Sequence, residues 1–226
     1  MFEIKGFIET SFVDWPGKVC SVLFLPYCNL RCPYCHNHPL VLHPKQYPTL
    51  PFRDIMRRLL SFQGWIDGVC LTGGEPTLHA DLPSLIRRIR RLGFLVKLDT
   101  NGSNPSLLEQ LIAKKEVDFV SMDVKAPLDL SHYSRVAGLA VNLDLVLRSI
   151  QILKRGEVEY EFRTTVVPGL HSPDDIRELG QQLKAGSRLV LQAFNPENPM
   201  DPSLKETLPY DSEKLRELEG EVQRMM

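Results

Sequence analysis

Three cysteines crowd into eight positions of the segment PYCNLRCPYCHN, at Cys28, Cys32 and Cys35. Thiolates are soft metal ligands, and the CxxxCxxC spacing places all three on one short loop, where they can wrap a single centre. Against an iron-sulfur cube with four irons, three protein sulfurs leave one iron open to a small molecule, unlike the four-cysteine sets of plain electron carriers. A closed zinc site is the competing reading, and it would need a fourth ligand such as His36, His38 or His43. Cys20 and Cys70 sit inside apolar runs and read as ordinary buried thiols.

A second set of polar residues recurs where apolar runs stop: Gly73, Gly74 and Glu75; Asp99, Thr100, Asn101 and Gly102; Asp123 with Lys125; and the FNPEN segment at Phe194 to Asn198. Taken one at a time, these are also the residues of tight turns and helix caps. Arg163 lies inside a strand-like run, where a salt-bridged surface position is equally in keeping with its type. His38, His43, His79, His132 and His171 have no partner in the sequence and read as surface or loop residues.

The elements that must position these groups follow from the hydrophobic pattern. Strand-like runs span Val19–Leu25, Gly68–Leu71, Phe94–Asp99, Asp118–Val124, Glu159–Val167 and Arg188–Phe194. Helical spacing is found at Phe52–Phe62, Leu82–Leu92, Pro105–Lys115, Leu143–Lys154, Pro173–Leu183 and Asp211–Met225. Ser103-Asn104-Pro105 and Ser172-Pro173-Asp174-Asp175 read as helix starts. Alternating strands and helices predict an α/β fold, a partial (β/α)6 TIM-like barrel of parallel strands whose carboxyl ends share one face. The strand-end polar groups then meet on that face. One domain is expected over residues 1–226, with a barrel core at about 18–195, an N-terminal element at 1–17 and a C-terminal extension with a helix at 196–226. Pro39 to Pro51 is proline-rich and reads as a loop over the site, and Asn195 to Pro209 as a path out of the sheet.

Composition excludes several classes. With 27 basic and 28 acidic residues the formal net charge is -1, so no global field gathers nucleic acid or an anionic membrane. The N-terminal residues do not have the pattern of a secretory signal, and no apolar run approaches the roughly 20 residues of a membrane helix. A reducing, cytoplasmic setting is expected, and the odd count of five cysteines suits metal binding better than a disulfide framework.

Read together, CxxxCxYC, TGGEPTLH, LDTNG and MDVKAP in this order resemble the radical S-adenosylmethionine superfamily over nearly the whole chain. The resemblance implies a 4Fe-4S cluster on Cys28, Cys32 and Cys35, with S-adenosylmethionine chelating the open iron and being cleaved to methionine and a 5'-deoxyadenosyl radical. It places Tyr34 near the adenine and has Gly73, Gly74 and Glu75 receive the methionine amino group. That is compatible with glycine's close backbone approach and a carboxylate's acceptor strength. In glycyl radical enzyme activases, which the chain resembles, positions matching Asp99, Thr100, Asn101, Asp123 and Lys125 contact the ribose and methionine parts, and Arg163 in EFRTTVVPG would face the cofactor. His36 and Asn37 extend the triad to CHN, as in the activase subgroup. ETSFVDWPGK, at Glu9 to Lys18, is similar to activating proteins of the anaerobic ribonucleoside-triphosphate reductase. The implied substrate is a glycine of that partner, with flavodoxin or ferredoxin as electron donor. A radical enzyme acting on a small molecule or another peptide, and an iron-sulfur module that never cleaves the cofactor, are the alternatives.

Overall fold

The computed structural model describes residues 2–184 and 188–226. Met1 and residues 185–187, which fall within the expected span 1–226, lie outside the described residues. Among the described residues, one sheet holds the strands β1 (Gly6–Ser11), β2 (Cys20–Leu25), β3 (Gly68–Gly73), β4 (Leu95–Thr100), β5 (Phe119–Asp123), β6 (Glu159–Val166) and β7 (Leu189–Ala193), side by side in chain order. Pairing from β2 to β7 is parallel throughout. The sheet is a partial barrel that stays open between its two end strands, β1 and β7.

The helices are α1 (His38–Leu42), α2 (Phe52–Ser61), α3 (Leu82–Arg91), α4 (Pro105–Ala113), α5 (Leu130–Ala137), α6 (Leu143–Leu153), α7 (Pro173–Leu183) and α8 (Ser212–Met225). The six expected strands and six expected helices are all present, with ends shifted by at most two residues. Both expected helix starts are capped: the Asn104 side chain accepts from the Leu107 N–H, and Ser172 with Asp175 forms a reciprocal capping box.

The count of six strands and the loop at Pro39 to Pro51 need correction, and one helix, α5, had no counterpart in the sequence reading. The N-terminal element contains β1, which runs antiparallel to β2. Its sequence GFIETS has weak alternation and becomes a strand through pairing with β2, a contact that local pattern does not encode. The stretch expected as a loop at Pro39 to Pro51 opens with α1, where Pro39 takes a first-turn position and its missing N–H costs nothing. And α5, eight residues long, carries too short an apolar stripe to register as a helix.

Side-chain alternation divides the apolar residues into two cores. Leu23, Leu71, Leu98, Val120, Met122 and Phe162 face the helices and form the larger one. Trp15, Cys20, Val22, Cys70 and Phe119 form a smaller core inside the barrel. Trp15, in the loop before β2, is 2% exposed and lies 6.2 Å from the Phe119 ring, so it closes the barrel at the end opposite the polar strand termini. Cys20 and Cys70 are fully buried in this lumen, as expected of them.

Trp15→Ala empties the space under the lumen and is expected to cost about 3–5 kcal/mol. Urea denaturation of the apo protein measures this; a loss below about 1 kcal/mol would show that the indole does not support the barrel.

Candidate active site

The loop after β2 turns back over the barrel mouth, and its path is set by backbone contacts. The Gly74 N–H donates to Leu25 O at 2.8 Å and the Glu75 N–H to Tyr27 O at 2.7 Å. A Cβ on Gly74 would stand 1.8 Å from Tyr27 O, so only glycine lets the end of β3 meet the start of the cysteine loop. Asn37 fastens the far end of the loop, donating from Nδ2 to Gly73 O at 2.9 Å. In the middle, the Arg31 N–H donates to Ala137 O at 2.9 Å. Gly138, at φ +73°, has no room for a Cβ against the Arg31 carbonyl. The C-terminal end of α5 is thus the buttress of the cysteine loop, a role sequence reasoning missed; Gly138 directly after an apolar pair was the available signal.

Cys28, Cys32 and Cys35 line a cavity of about 360 Å³ at the carboxyl ends of the strands, within the ordinary range for small-molecule sites. The same cavity is lined by Tyr34, Gly73, Gly74, Glu75, Asp99, Thr100, Asn101, Asp123, Lys125 and Arg163. Every residue singled out in the sequence as a ligand or cofactor contact is therefore brought to one place. Asn195, from the FNPEN strand end, and Thr72, from TGGEPTLH, join them, as do Thr165 and Gln192, which the sequence did not single out. Among the described residues no group of three or more His, Cys, Asp or Glu is gathered to hold a single metal ion. His38, one of the three histidines considered as a fourth ligand, is engaged with Asn198 Oδ1 at 3.3 Å.

Burial raises the three thiols, Cys28 and Cys35 to about 11 and Cys32 in the same direction. Neutral thiols become good ligands only when a metal supplies the positive charge that burial withholds. Cys28 Sγ already accepts from the Leu30 N–H at 3.4 Å and from Asn101 Nδ2 at 3.8 Å, so its sulfur has donors ready for a thiolate.

Glu75 is fully enclosed, and burial raises its carboxyl against the pull of its donors. Oε1 accepts from the Thr77 N–H, Thr77 Oγ1 and Thr100 Oγ1, at 3.0, 2.6 and 2.8 Å. Oε2 takes only the Asn101 N–H, at 2.7 Å, and so keeps a lone pair for another donor. The side chain that could accept an ammonium is also the strut between β3 and β4.

Deeper in the mouth, five charges alternate in sign across three strands. Lys97 pairs with Asp99 Oδ1; Asp99 Oδ2 lies 3.2 Å from Arg163 Nη2; Arg163 Nε donates to Asp123 Oδ1 at 2.9 Å; and Asp123 Oδ2 accepts from Lys125 Nζ at 3.1 Å. Arg163 is thus paired inside the barrel and is not the surface residue its type allowed. Burial works against the charges of Lys97, Arg163 and Lys125, but their carboxylate partners prevail and hold all three above their ordinary values. Burial pushes Asp123 up, and Arg163 and Lys125 outweigh it, bringing the carboxyl down to about 2. Three cations against two anions give the ladder one net positive charge, and Lys125 and Arg163 are its cationic members on the cavity wall.

His171 corrects another expectation. It is buried, its Nδ1 accepts from the Val167 N–H at 3.0 Å, and its Nε2 meets Lys125 O at 2.7 Å. Its ring also packs edge-on against Tyr34, 6.4 Å between centroids. It braces the backbone that carries Lys125.

Comparison with known proteins adds to this picture. The model of the Radical SAM superfamily matches residues 22–183. A Methanocaldococcus jannaschii protein, provisionally named a glycyl-radical enzyme activating enzyme, is 35% identical over 95% of this chain and 89% of its own length. The pyruvate formate-lyase-activating enzyme of Clostridium pasteurianum is 27% identical over 97% of this chain and 92% of its own. Among solved structures, a radical SAM methyltransferase from Sphaerobacter thermophilus superposes with a TM-score of 0.69 at 16% identity, covering 95% of this chain and 65% of that one; this likeness speaks to the fold alone.

The charge ladder carries a pH signature. Folded Asp123 titrates near 2, against about 3.9 for a free aspartate. Its charge therefore favours the native state above about pH 4, and that contribution is lost as pH falls toward 2. Asp123→Asn is expected to flatten the acid limb of stability in this window, as followed by urea melts of the apo protein; an unchanged limb would mean that the ladder does not hold the charge.

Proposed function

This chain belongs to the radical S-adenosylmethionine superfamily, and we propose that within it the protein is an activase that takes a hydrogen atom from a backbone glycine of a partner glycyl radical enzyme. The observation that carries this reading is the full-length match to proteins named as activating enzymes, at 35% and 27% identity over almost the whole chain. The anaerobic ribonucleoside-triphosphate reductase is the partner suggested by the VDWPGK segment.

The family uses a 4Fe-4S cluster on three cysteines together with S-adenosylmethionine, and the donor set in the cavity fits both. Cys28, Cys32 and Cys35 would hold the cluster, with the Leu30 N–H and Asn101 amide as donors to the Cys28 sulfur. When bound, the two groups supply a one-electron cleavage of the sulfonium that yields methionine and a radical able to abstract hydrogen.

The protein's own residues supply placement. Lys125 keeps donor capacity beyond its bond to Asp123 and, with Arg163, would attract the methionine carboxylate; Glu75 Oε2 would take the amino group. Asp99 spends both oxygens on Lys97 and Arg163, so its main service is to orient Arg163. Thr100 and Asn101 act through Glu75 and the Cys28 sulfur. Tyr34, enclosed and packed on His171, would support the adenine from the loop side. Cys20 and Cys70 are sequestered in the lumen, which leaves this chain's reductant to come from outside, flavodoxin or ferredoxin being the proposed donors.

Anaerobic reconstitution with iron and sulfide, followed by reductant and S-adenosylmethionine, is expected to yield 5'-deoxyadenosine, and Cys32→Ala to lower the yield to background. Mixing with the partner reductase should then give a glycine-centred spin resonance signal. Product without that signal would argue for a different substrate, and no product at all would leave only an iron-sulfur module.

A further inference from the structure

The open edge of β7 leads into the cavity. Arg188 O accepts from the Phe162 N–H at 2.8 Å, so the backbone groups of residues 188, 190 and 192 turn toward β6. Those of Leu189, Leu191 and Ala193 therefore turn toward the gap between β7 and β1. Bare edges of this kind pair with any extended chain they meet, and folds usually cover them. Here the start of the strand is covered: α8 packs against β7, whose residues Leu189 to Leu191 are buried or half-buried.

One step further along the strand the cover stops. Ala193 is exposed, and no side chain among the described residues reaches its N–H. It lies on the cavity wall next to Gln192, whose exposed side chain has no hydrogen-bond partner among the described residues. Thr165 of β6 and Asn195 line the same cavity and add polar groups beside them. An amide side chain beside a free edge N–H and C=O offers the donors and acceptors that a peptide backbone satisfies.

We propose that the polypeptide substrate docks by adding an extended segment to the edge of β7 at Ala193. Its backbone pairs with the Ala193 N–H and C=O and with the Leu191 carbonyl, and Gln192 binds a peptide group of the turn that enters the cavity. α8 sets the lower limit of the pairing, so the segment engages only where the strand meets the site. This rests on the reading of the substrate as a polypeptide and adds where and how it is held.

The test uses the reconstituted holoenzyme and a set of nonapeptides with a central dideuterated glycine, reading deuterium carried into 5'-deoxyadenosine by mass spectrometry. Single backbone N-methyl groups, moved along the best peptide, should alternate in effect: about tenfold loss where the N–H faces β7 and little change at the next position, the size expected for one hydrogen bond of about 1.4 kcal/mol. Ala193→Pro removes the edge N–H at a position where proline is tolerated, and should raise the peptide KM about tenfold with kcat within about threefold. The N-methyl scan needs no variant and decides the matter if Ala193→Pro fails to fold. Indifference to N-methylation, with an unchanged KM in Ala193→Pro, overturns edge pairing while leaving the polypeptide reading intact. A dimer that Ala193→Pro dissolves without affecting peptide turnover assigns the edge to a second copy and likewise overturns it. Absence of deuterium transfer from every peptide removes the polypeptide reading and this proposal together.

Discussion

The cysteine loop is held over the barrel by one close contact, in which the Leu25 and Tyr27 carbonyls accept the N–H groups of Gly74 and Glu75. The contact is possible because Gly74 lacks a side chain, and it draws Tyr27 into a left-handed conformation at φ 64° that a tyrosine does not adopt unaided. Asn37 and the end of α5 then fix the remaining length of the loop. The glycine pair thus serves the scaffold as much as any ligand: by admitting the loop's backbone, it decides where three sulfurs stand relative to the strand ends.

The second organising feature is electrostatic. A buried lysine or arginine is costly unless it is paired, and the ladder from Lys97 to Lys125 pairs every member. Lys97 touches no part of the cavity wall, yet it neutralises the Asp99 oxygen that does not face Arg163. The loop presents buried thiols, and the strand ends present cationic groups, to the same cavity.

Much of this was readable from local pattern. Periods of two and 3.6 residues, proline and the helix caps are near-neighbour effects, and they located six strands and six helices to within two residues. The triad and the strand-end motifs were legible because parallel strands connected by helices bring their carboxyl ends to one face regardless of detail. β1 escaped because its own alternation is weak and its strand character comes from pairing with β2, and His171 because burial cannot be read from one polar residue in a loop. Thr165 and Gln192 escaped because such residues are common everywhere and acquire meaning only from the cavity they face.

The sequence by itself determined which groups could do chemistry and that they would share an end of a barrel, since both depend on residue type and short-range periodicity. Only the tertiary structure decided how those groups are spent: Glu75 as a strut with one free lone pair, Asp99 as the brace of Arg163, Gly74 as a seat for the Tyr27 carbonyl, and the edge of β7 as an opening beside the site. Hydrogen bonds and ion pairs between strands far apart in the chain are set by register and depth in the barrel, and these are properties of packing that no single segment encodes.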